Sequence, residues 1–308
     1  MKLNTLTYEV DGRIARITLN RPKRGNGITM DMPRELTYCV EKADIDQNVH
    51  VIALSGNGSG FCGGYDLVAS AEQSLEGDFA SENVQDTVLS SAVQGKNHTP
   101  NQVWDPMIDY QMMSRNVKGF MSLFYADKPV ICKVHGFCVA GGTDMALCSD
   151  LLVMEDKAKI GYPPARVWGS PTTSLWAYRV GVTRAKRLLF TGDCLNGDEA
   201  VEWGLAIDSA PKEELDQVYE DLLQRTAMMP INQLIMMKKL LNQHIENAGL
   251  ASTQLIGTVF DGITRHTQEG YDFQQKAAAS GFMQAVRDRD EPFGDFGLVS
   301  SGVIRSRK

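Results

Sequence analysis

The sequence predicts an α/β core with parallel strands over residues 1–210, followed by a helical region over 211–308. Two observations carry this. Short, nearly continuous apolar runs at 49–54, 130–134 and 151–154 read as strands covered on both faces, with helix-period stretches between them. After Pro211 the pattern is helical over 212–227, 231–247 and roughly 250–285, with Pro230 and Gly249 as breaks.

In chain order, residues 13–19 alternate, with Ala15, Ile17 and Leu19 on one face, and form an early strand that Asn20-Arg21-Pro22 ends. Residues 31–44 read as a helix, with Asp31 placed to cap it and Pro33 in the first turn, where its missing N–H costs least. The 49–54 strand runs into a glycine-rich stretch from Gly56 to Gly64. Residues 68–107 are polar and weakly periodic, and interrupt the pattern as an insertion carrying a helix or a mobile cover. The 130–134 strand is again followed by small residues and an apolar helix pattern.

A chain of 308 residues can bury one substantial core, or one core with a helical appendage. Its net charge of −7 argues against a nucleic-acid surface, and no apolar run is long enough to cross a bilayer. The opening MKLNTLTYEVDGR has no apolar segment between a basic end and a cleavage site, so a secretory signal is not expected. Six scattered cysteines without a CxxC pair suit reduced, buried thiols in a cytoplasm. Five dispersed histidines without metal-ligand spacing lead to the expectation of no metal site.

Two segments carry the chemistry: Gly60-Phe61-Cys62-Gly63-Gly64-Tyr65-Asp66-Leu67 and His135-Gly136-Phe137-Cys138-Val139-Ala140-Gly141-Gly142-Thr143-Asp144. Each follows a buried-strand candidate and leads toward a helix. Glycines let a ligand approach the main chain, and amides at a helix start point donors at whatever binds there. Two such turns that meet can aim two N–H groups at one oxygen, an oxyanion hole. Taken singly, each is equally readable as an ordinary turn. Gly58-Ser59-Gly60-Phe61-Cys62-Gly63 also matches GxGxxG, but a dinucleotide site leaves the second turn and Asp144 without a role.

The ordered set resembles the enoyl-CoA hydratase/isomerase, or crotonase, superfamily. Arg16-Ile17-Thr18-Leu19-Asn20-Arg21-Pro22 is similar to the family's early strand and turn, and Phe61 to Leu67 to its first oxyanion segment. The stretch from Lys128 to Gly136, with Ala140-Gly141-Gly142, resembles the second, and Thr191-Gly192-Asp193 with Ala200 and Gly204-Leu205 the later helix pair. The resemblance implies a crotonase-like spiral of repeated β-β-α units, with a C-terminal helical region that builds trimers or hexamers. It implies an acyl-CoA substrate and no cofactor beyond that substrate's own coenzyme A, while the acidic balance and the lack of a long apolar run lead to the expectation of neither nucleic-acid nor membrane partners. By motif alignment the oxyanion donors are the amides of Tyr65 and Gly141, and Asp144 is the acid/base. Substrate contacts fall on Lys23, Arg24, Gly63, Gly64, Asp66, Gly142 and Tyr162, with Lys23 and Arg24 near the CoA phosphates. Asp66 is also readable as the cap of a following helix.

The chain departs from the family in two places. Asp144 stands where a longer glutamate is usual, and Gly161-Tyr162-Pro163-Pro164-Ala165-Arg166, where a second glutamate belongs, holds no carboxylate. An acid from the insertion (Glu82, Asp86, Asp105 or Asp109), the Tyr162 hydroxyl, or a reaction needing one acid/base would each repair this. The expected activity is hydration of a 2-enoyl-CoA. The alternatives are double-bond isomerisation, decarboxylation or C–C hydrolysis on the same enolate, or a silent fold used for binding.

Overall fold

The structure is a computed structural model and describes residues 1–66 and 87–294. β1 (Leu6–Asp11) and β2 (Ile14–Leu19) form an antiparallel hairpin around Gly12, whose φ of 56° suits the tight turn. β1 is not among the expected strands, although LTYEVD alternates apolar Leu6, Tyr8 and Val10 with polar Thr7, Glu9 and Asp11; of these only Leu6 is buried. α1 (Met32–Ile45) has Pro33 in its first turn as expected, but Asp31 does not cap it. Its helical dihedrals, φ −78° and ψ −36°, differ from the extended ones with which a capping side chain reaches the first amides.

β3 (Val51–Gly56) precedes the first glycine-rich turn. Beyond residue 86 come α2 (Ser91–Asn97) and the long α3 (Pro106–Tyr125). β4 (Val130–Val134), β5 (Phe137–Val139) and α4 (Gly141–Ala146) carry the second turn. β6 (Leu151–Glu155), β7 (Lys159–Gly161), α5 (Trp176–Val180) and α6 (Val182–Thr191) follow. β8 (Cys194–Leu195), α7 (Gly197–Glu202) and β9 (Asp208–Ala210) precede the helical region.

One sheet runs in the order β1-β2-β3-β4-β6-β9, and a smaller one in the order β5-β7-β8. From β2 to β9 the neighbours in the large sheet are parallel, as the buried apolar runs require. Alternation splits each strand between two layers. Ile52 and Leu54 face Leu36 and Phe120 of α1 and α3 in the main core. Val51 and Ala53 face the other side, where α8 (Leu215–Ala227) lays Leu215, Tyr219, Leu223 and Ala227 over Ile14, Ile131 and Val153. Each fully buried Leu or Ile in such a layer is worth about 1.5–3 kcal/mol. The Tyr219 hydroxyl also donates to Leu54 O at 3.1 Å and Ile131 O at 3.0 Å.

α9 (Ile231–Asn247) is tied to the core by Lys238, whose buried ammonium donates to Leu123 O and Lys128 O and pairs with Asp150 at 2.8 Å. The helix expected over 250–285 is three helices: α10 (Leu250–Thr264), α11 (Gln268–Ser280) and α12 (Phe282–Asp290). Thr267 starts α11 by accepting from Gly270 N, and Gly281, at φ 86°, separates α11 from α12.

Candidate active site

Because β3 and β4 are parallel neighbours, their C-terminal ends lie on one edge of the sheet, and both glycine-rich turns leave from there. The turns then pair. The backbones of Cys62 and Cys138 pair as one parallel β-bridge, Val139 N donates to Cys62 O at 3.0 Å, and Phe61 N donates to Phe137 O at 2.9 Å. Gly142 is needed for this approach, since a Cβ there would stand 2.5 Å from Cys62 O. Gly64 has φ +97°, a conformation few other residues adopt, and its missing Cβ would lie 2.7 Å from the Ala140 Cβ and 3.4 Å from Gly141 N. Ala140 itself is held at φ 54° and ψ −131°, with its N–H on Gly161 O at 3.2 Å. A non-glycine residue there stores about 1–3 kcal/mol of backbone strain, which the surrounding pairing must overcome.

The sequence-predicted residues gather around this junction. The Tyr65 ring lies across Gly141, with Cε2 2.7 Å from where a Cβ would stand. Tyr65 and Gly141 have no backbone carbonyl as acceptor for their N–H groups outside regular helices and strands, among the described residues. The Tyr65 hydroxyl is buried and lacks a hydrogen-bond partner there; the Asn116 amide bears on it without bonding geometry. Burial first, then the charges of Asp144 and Asp261, push this phenol well above its ordinary range.

Asp144 projects from the first turn of α4 and is fully buried. Its Oδ1 accepts from Thr173 N at 3.0 Å and Thr173 Oγ1 at 2.8 Å, while Oδ2 has no partner among the described residues. Burial raises this carboxyl, the Thr173 bonds pull it back and the charge of Asp261 raises it again, leaving it at about 7. A carboxyl poised there exchanges protons in either direction at neutral pH.

The remaining predicted contacts are more varied. Lys23 and Arg24 lie exposed on a 3₁₀ turn, Pro22–Arg24, and Gly63 is exposed with its N–H on Gly25 O at 2.9 Å. Asp66 pairs with Arg21 at 2.8 Å, and the helix it is expected to cap lies outside the described residues. Tyr162 is buried, but its hydroxyl is committed to Ser170 O at 2.9 Å, which removes it as a free proton donor. The segment where a second glutamate belongs is a 3₁₀ turn, Pro163–Arg166, anchored through Arg166 to Asp193 and Asp290.

Of the acids named in the insertion, Glu82 and Asp86 lie outside the described residues, and Asp105 caps α3 by accepting from Met107 N. Asp109 is fully buried and saturated. It accepts from Trp104 Nε1 at 2.7 Å, His98 Nε2 and His266 Nε2 at 3.0 Å each, and Asn97 Nδ2 at 3.2 Å, with Arg265 at 3.5 Å. Burial alone would raise its pKa; the His98 bond, the Arg265 charge and the Trp104 bond bring it down to about 2. His98, Asp109 and His266 place metal-ligand atoms within 4.8 Å of one another, but those atoms are already paired with each other and face the Arg265 cation.

Sequence reasoning missed Asp261. It lies on α10, more than a hundred residues from Asp144, and reads as one more helix position. It is buried, accepts weakly from Ser170 N at 3.4 Å and pairs with Arg265 at 3.3 Å. Burial raises its pKa, and Arg265 only partly opposes this. The available signal was that Asp261 is the only charged residue of Leu250–Thr264.

A family model described as enoyl-CoA hydratase/isomerase matches residues 9–98 and 102–279. The chain belongs to the enoyl-CoA hydratase/isomerase family, and its fold is the crotonase fold. An enoyl-CoA hydratase structure from Mycobacterium smegmatis is 53% identical, with a TM-score of 0.89 over 96% of each chain. EchA13 of Mycobacterium tuberculosis, which bears an enoyl-CoA hydratase name, is 30% identical over 258 residues, 80% of this chain and 76% of its own. The 1,2-epoxyphenylacetyl-CoA isomerase of Escherichia coli is 25% identical over 236 residues, 76% of this chain and 80% of its own. Relatives thus bear both hydratase and isomerase names. Among the described residues, no helix is long and apolar enough to cross a membrane.

Proposed function

We propose that this chain hydrates a 2-enoyl-CoA, with the amides of Tyr65 and Gly141 holding the thioester oxygen and Asp144 moving a proton. The observation that carries the reading is the Asp144 carboxyl: buried beneath the paired turns, with one oxygen unpartnered among the described residues and a pKa of about 7. Water adds at the β carbon, the π electrons move onto the thioester oxygen, and the enolate is protonated at the α carbon. Two N–H donors stabilise the developing oxyanion, and loss of one such donor typically costs about 3–4 kcal/mol of barrier. Desolvation strengthens both donors, since the walls around them, Ile28, Phe61, Cys62 and Met145, are fully buried.

Lys23 and Arg24, exposed beside the turn, suit the CoA phosphates. A cavity of about 330 Å³ between α1 and α3, lined in part by Met30, Arg34, Leu89 and Asn116, offers room for part of an acyl chain. Exposed apolar side chains on α9 (Met236, Met237, Leu240, Leu241) and α10 (Leu255, Ile256, Phe260) support burial between copies of the chain, as a trimer or a pair of trimers. Six buried, unpaired cysteines suit a cytoplasmic enzyme.

The test is turnover of crotonyl-CoA and bulkier enoyl-CoAs, followed as loss of the conjugated enoyl absorbance, with Asp144→Asn as control. Hydration that vanishes in the variant supports the reading. Binding of acyl-CoA without hydration, accompanied by double-bond migration, would replace it with isomerisation. Turnover unchanged by Asp144→Asn would sink the role given to this carboxyl.

A further inference from the structure

We propose that Asp261, carried on α10, is the second proton carrier of this site, supplying from the C-terminal region the carboxylate that 161–166 lacks; the inference rests on the hydration reading above. Its placement follows from helix packing. Gly257, one turn before Asp261, lets α10 close on the loop 170–174, since a Cβ there would stand 2.5 Å from Ser174 Oγ and 3.0 Å from Pro171 O. That contact delivers Asp261 to the loop that already holds Asp144. Ser170 N donates to Asp261 Oδ1 at 3.4 Å, and Thr173, three residues on, donates to Asp144 Oδ1 through both N–H and hydroxyl. Even a fully extended chain separates those two residues by no more than about 11 Å. The Tyr162 hydroxyl, donating to Ser170 O at 2.9 Å, fixes the same loop.

The electrostatics agree with one shared chamber. The charge of Asp261 bears on Asp144, on the Tyr65 phenol and on the Tyr162 phenol alike. Asp261 is also loosely held. Its contacts, 3.4 Å to Ser170 and 3.3 Å to Arg265, are long for charge-assisted bonds, whereas neighbouring Asp109 takes donors at 2.7–3.2 Å. Arg265 is divided between the two acids, so Asp109, with its other donors, does not depend on it.

The two carboxyls then divide the proton traffic. Ionised Asp261 takes a proton from the water whose oxygen forms the bond to the β carbon. The π pair moves onto the thioester oxygen and returns to the α carbon, which takes the proton of protonated Asp144. Proton transfer from Asp261 to Asp144 restores both groups, and the net change is one water added across the double bond. The charge of Asp261 raises Asp144, and like charges placed this near favour one carboxyl protonated while the other is ionised.

The full-length chain carrying Asp261→Asn separates this from a structural role when two reactions are compared. The first is hydration of crotonyl-CoA. The second is exchange of the α proton of butyryl-CoA in deuterated water, which needs only Asp144 and the oxyanion donors. The expected result is a roughly 10²–10⁴-fold fall in kcat for hydration, with α-proton exchange kept within about tenfold of the parent. Asp261→Glu, which keeps a carboxylate on a longer stem, should recover part of the hydration rate. Hydration within about threefold of the parent in Asp261→Asn overturns the inference, as does equal loss of both reactions. A Glu variant no better than Asn counts against it too. A parent chain that hydrates no enoyl-CoA removes the hydration reading itself; parent turnover indifferent to Asp261→Asn removes only this inference.

Discussion

Replacing Asp144 with Asn has a consequence for stability that is measurable before any substrate is added. The carboxyl moves from an ordinary 3.8 to about 7 on folding, with burial as the main cause. Its folded value lies above its unfolded one, so between these pH values the folded chain keeps a proton that the unfolded chain has released. The contribution to stability is therefore full below about pH 4, falls as pH rises to about 7, and is level beyond. At about 1.4 kcal/mol per pH unit the whole loss is on the order of 4 kcal/mol. The amide of the variant can still accept from Thr173 and does not titrate. Asp44, whose pKa is also raised, is present in both chains and largely cancels in the difference. Urea unfolding of both chains at about pH 4.5 and pH 8 should show the Asn variant gaining about 2–4 kcal/mol relative to the parent at the higher pH. A difference that stays flat, or that moves toward the parent as pH rises, would refute the assignment of a buried, proton-holding carboxyl. In the same variant, kcat for hydration should fall about 10²–10⁴-fold, so activity and stability move in opposite directions above neutral pH.

Thr173→Val removes one charge-assisted bond to Asp144 at 2.8 Å, and should move the Asp144-dependent limb of the pH–rate profile upward by about one pH unit. Gly142→Ala pushes a Cβ into Cys62 O and should cost about 1–3 kcal/mol in a thermal melt, with hydration lost as the turns separate. Asp109→Ala strands the donors of Trp104, Asn97, His98 and His266 and should cost about 3–5 kcal/mol by urea unfolding, without moving the Asp144 limb. Leu240→Glu on the exposed face of α9 should shift the chain to a smaller species in light scattering, whereas an unchanged mass would remove this face as a subunit contact.

The parts of the molecule legible in the sequence are those whose cause is local. The apolar runs of β3, β4 and β6 announce strands buried on both faces, and the glycines of the two turns announce close backbone approach. That the turns meet was only a condition in the sequence, and the parallel pairing of β3 with β4 supplies it by ending both strands on the same edge. Other features depend on contacts between distant segments. Asp31 carries a capping side chain, yet its backbone enters the helix early and the cap is lost. The break at Thr267 and Gly281 is local in origin, but both sit within a stretch whose helix period continues through them. Asp261 has no sequence neighbour that marks it, and only the approach of α10 to the loop 170–174 gives its position meaning. Likewise, Asp109 reads as an available acid in the sequence, and only the fold brings five donors from separate segments around it.

The covering of the sheet by α8 has a consequence for how the chain is made. During synthesis, the strands through β6 leave the ribosome with Ile14, Val51, Ala53, Ile131 and Val153 on an unprotected layer, and the helix that shields them ends only at Ala227. A further stretch of chain, including all of α9, separates that point from Asp261 and Arg265. The growing chain thus passes through a stage with its sheet largely present, one greasy side open and the acid pair incomplete. Nascent chains halted before α8 should aggregate or be held by chaperones, while those halted between α8 and α10 should be compact but without hydration activity. Completion of the proton-transfer chamber is in this sense delayed until the scaffold beneath it has been shielded.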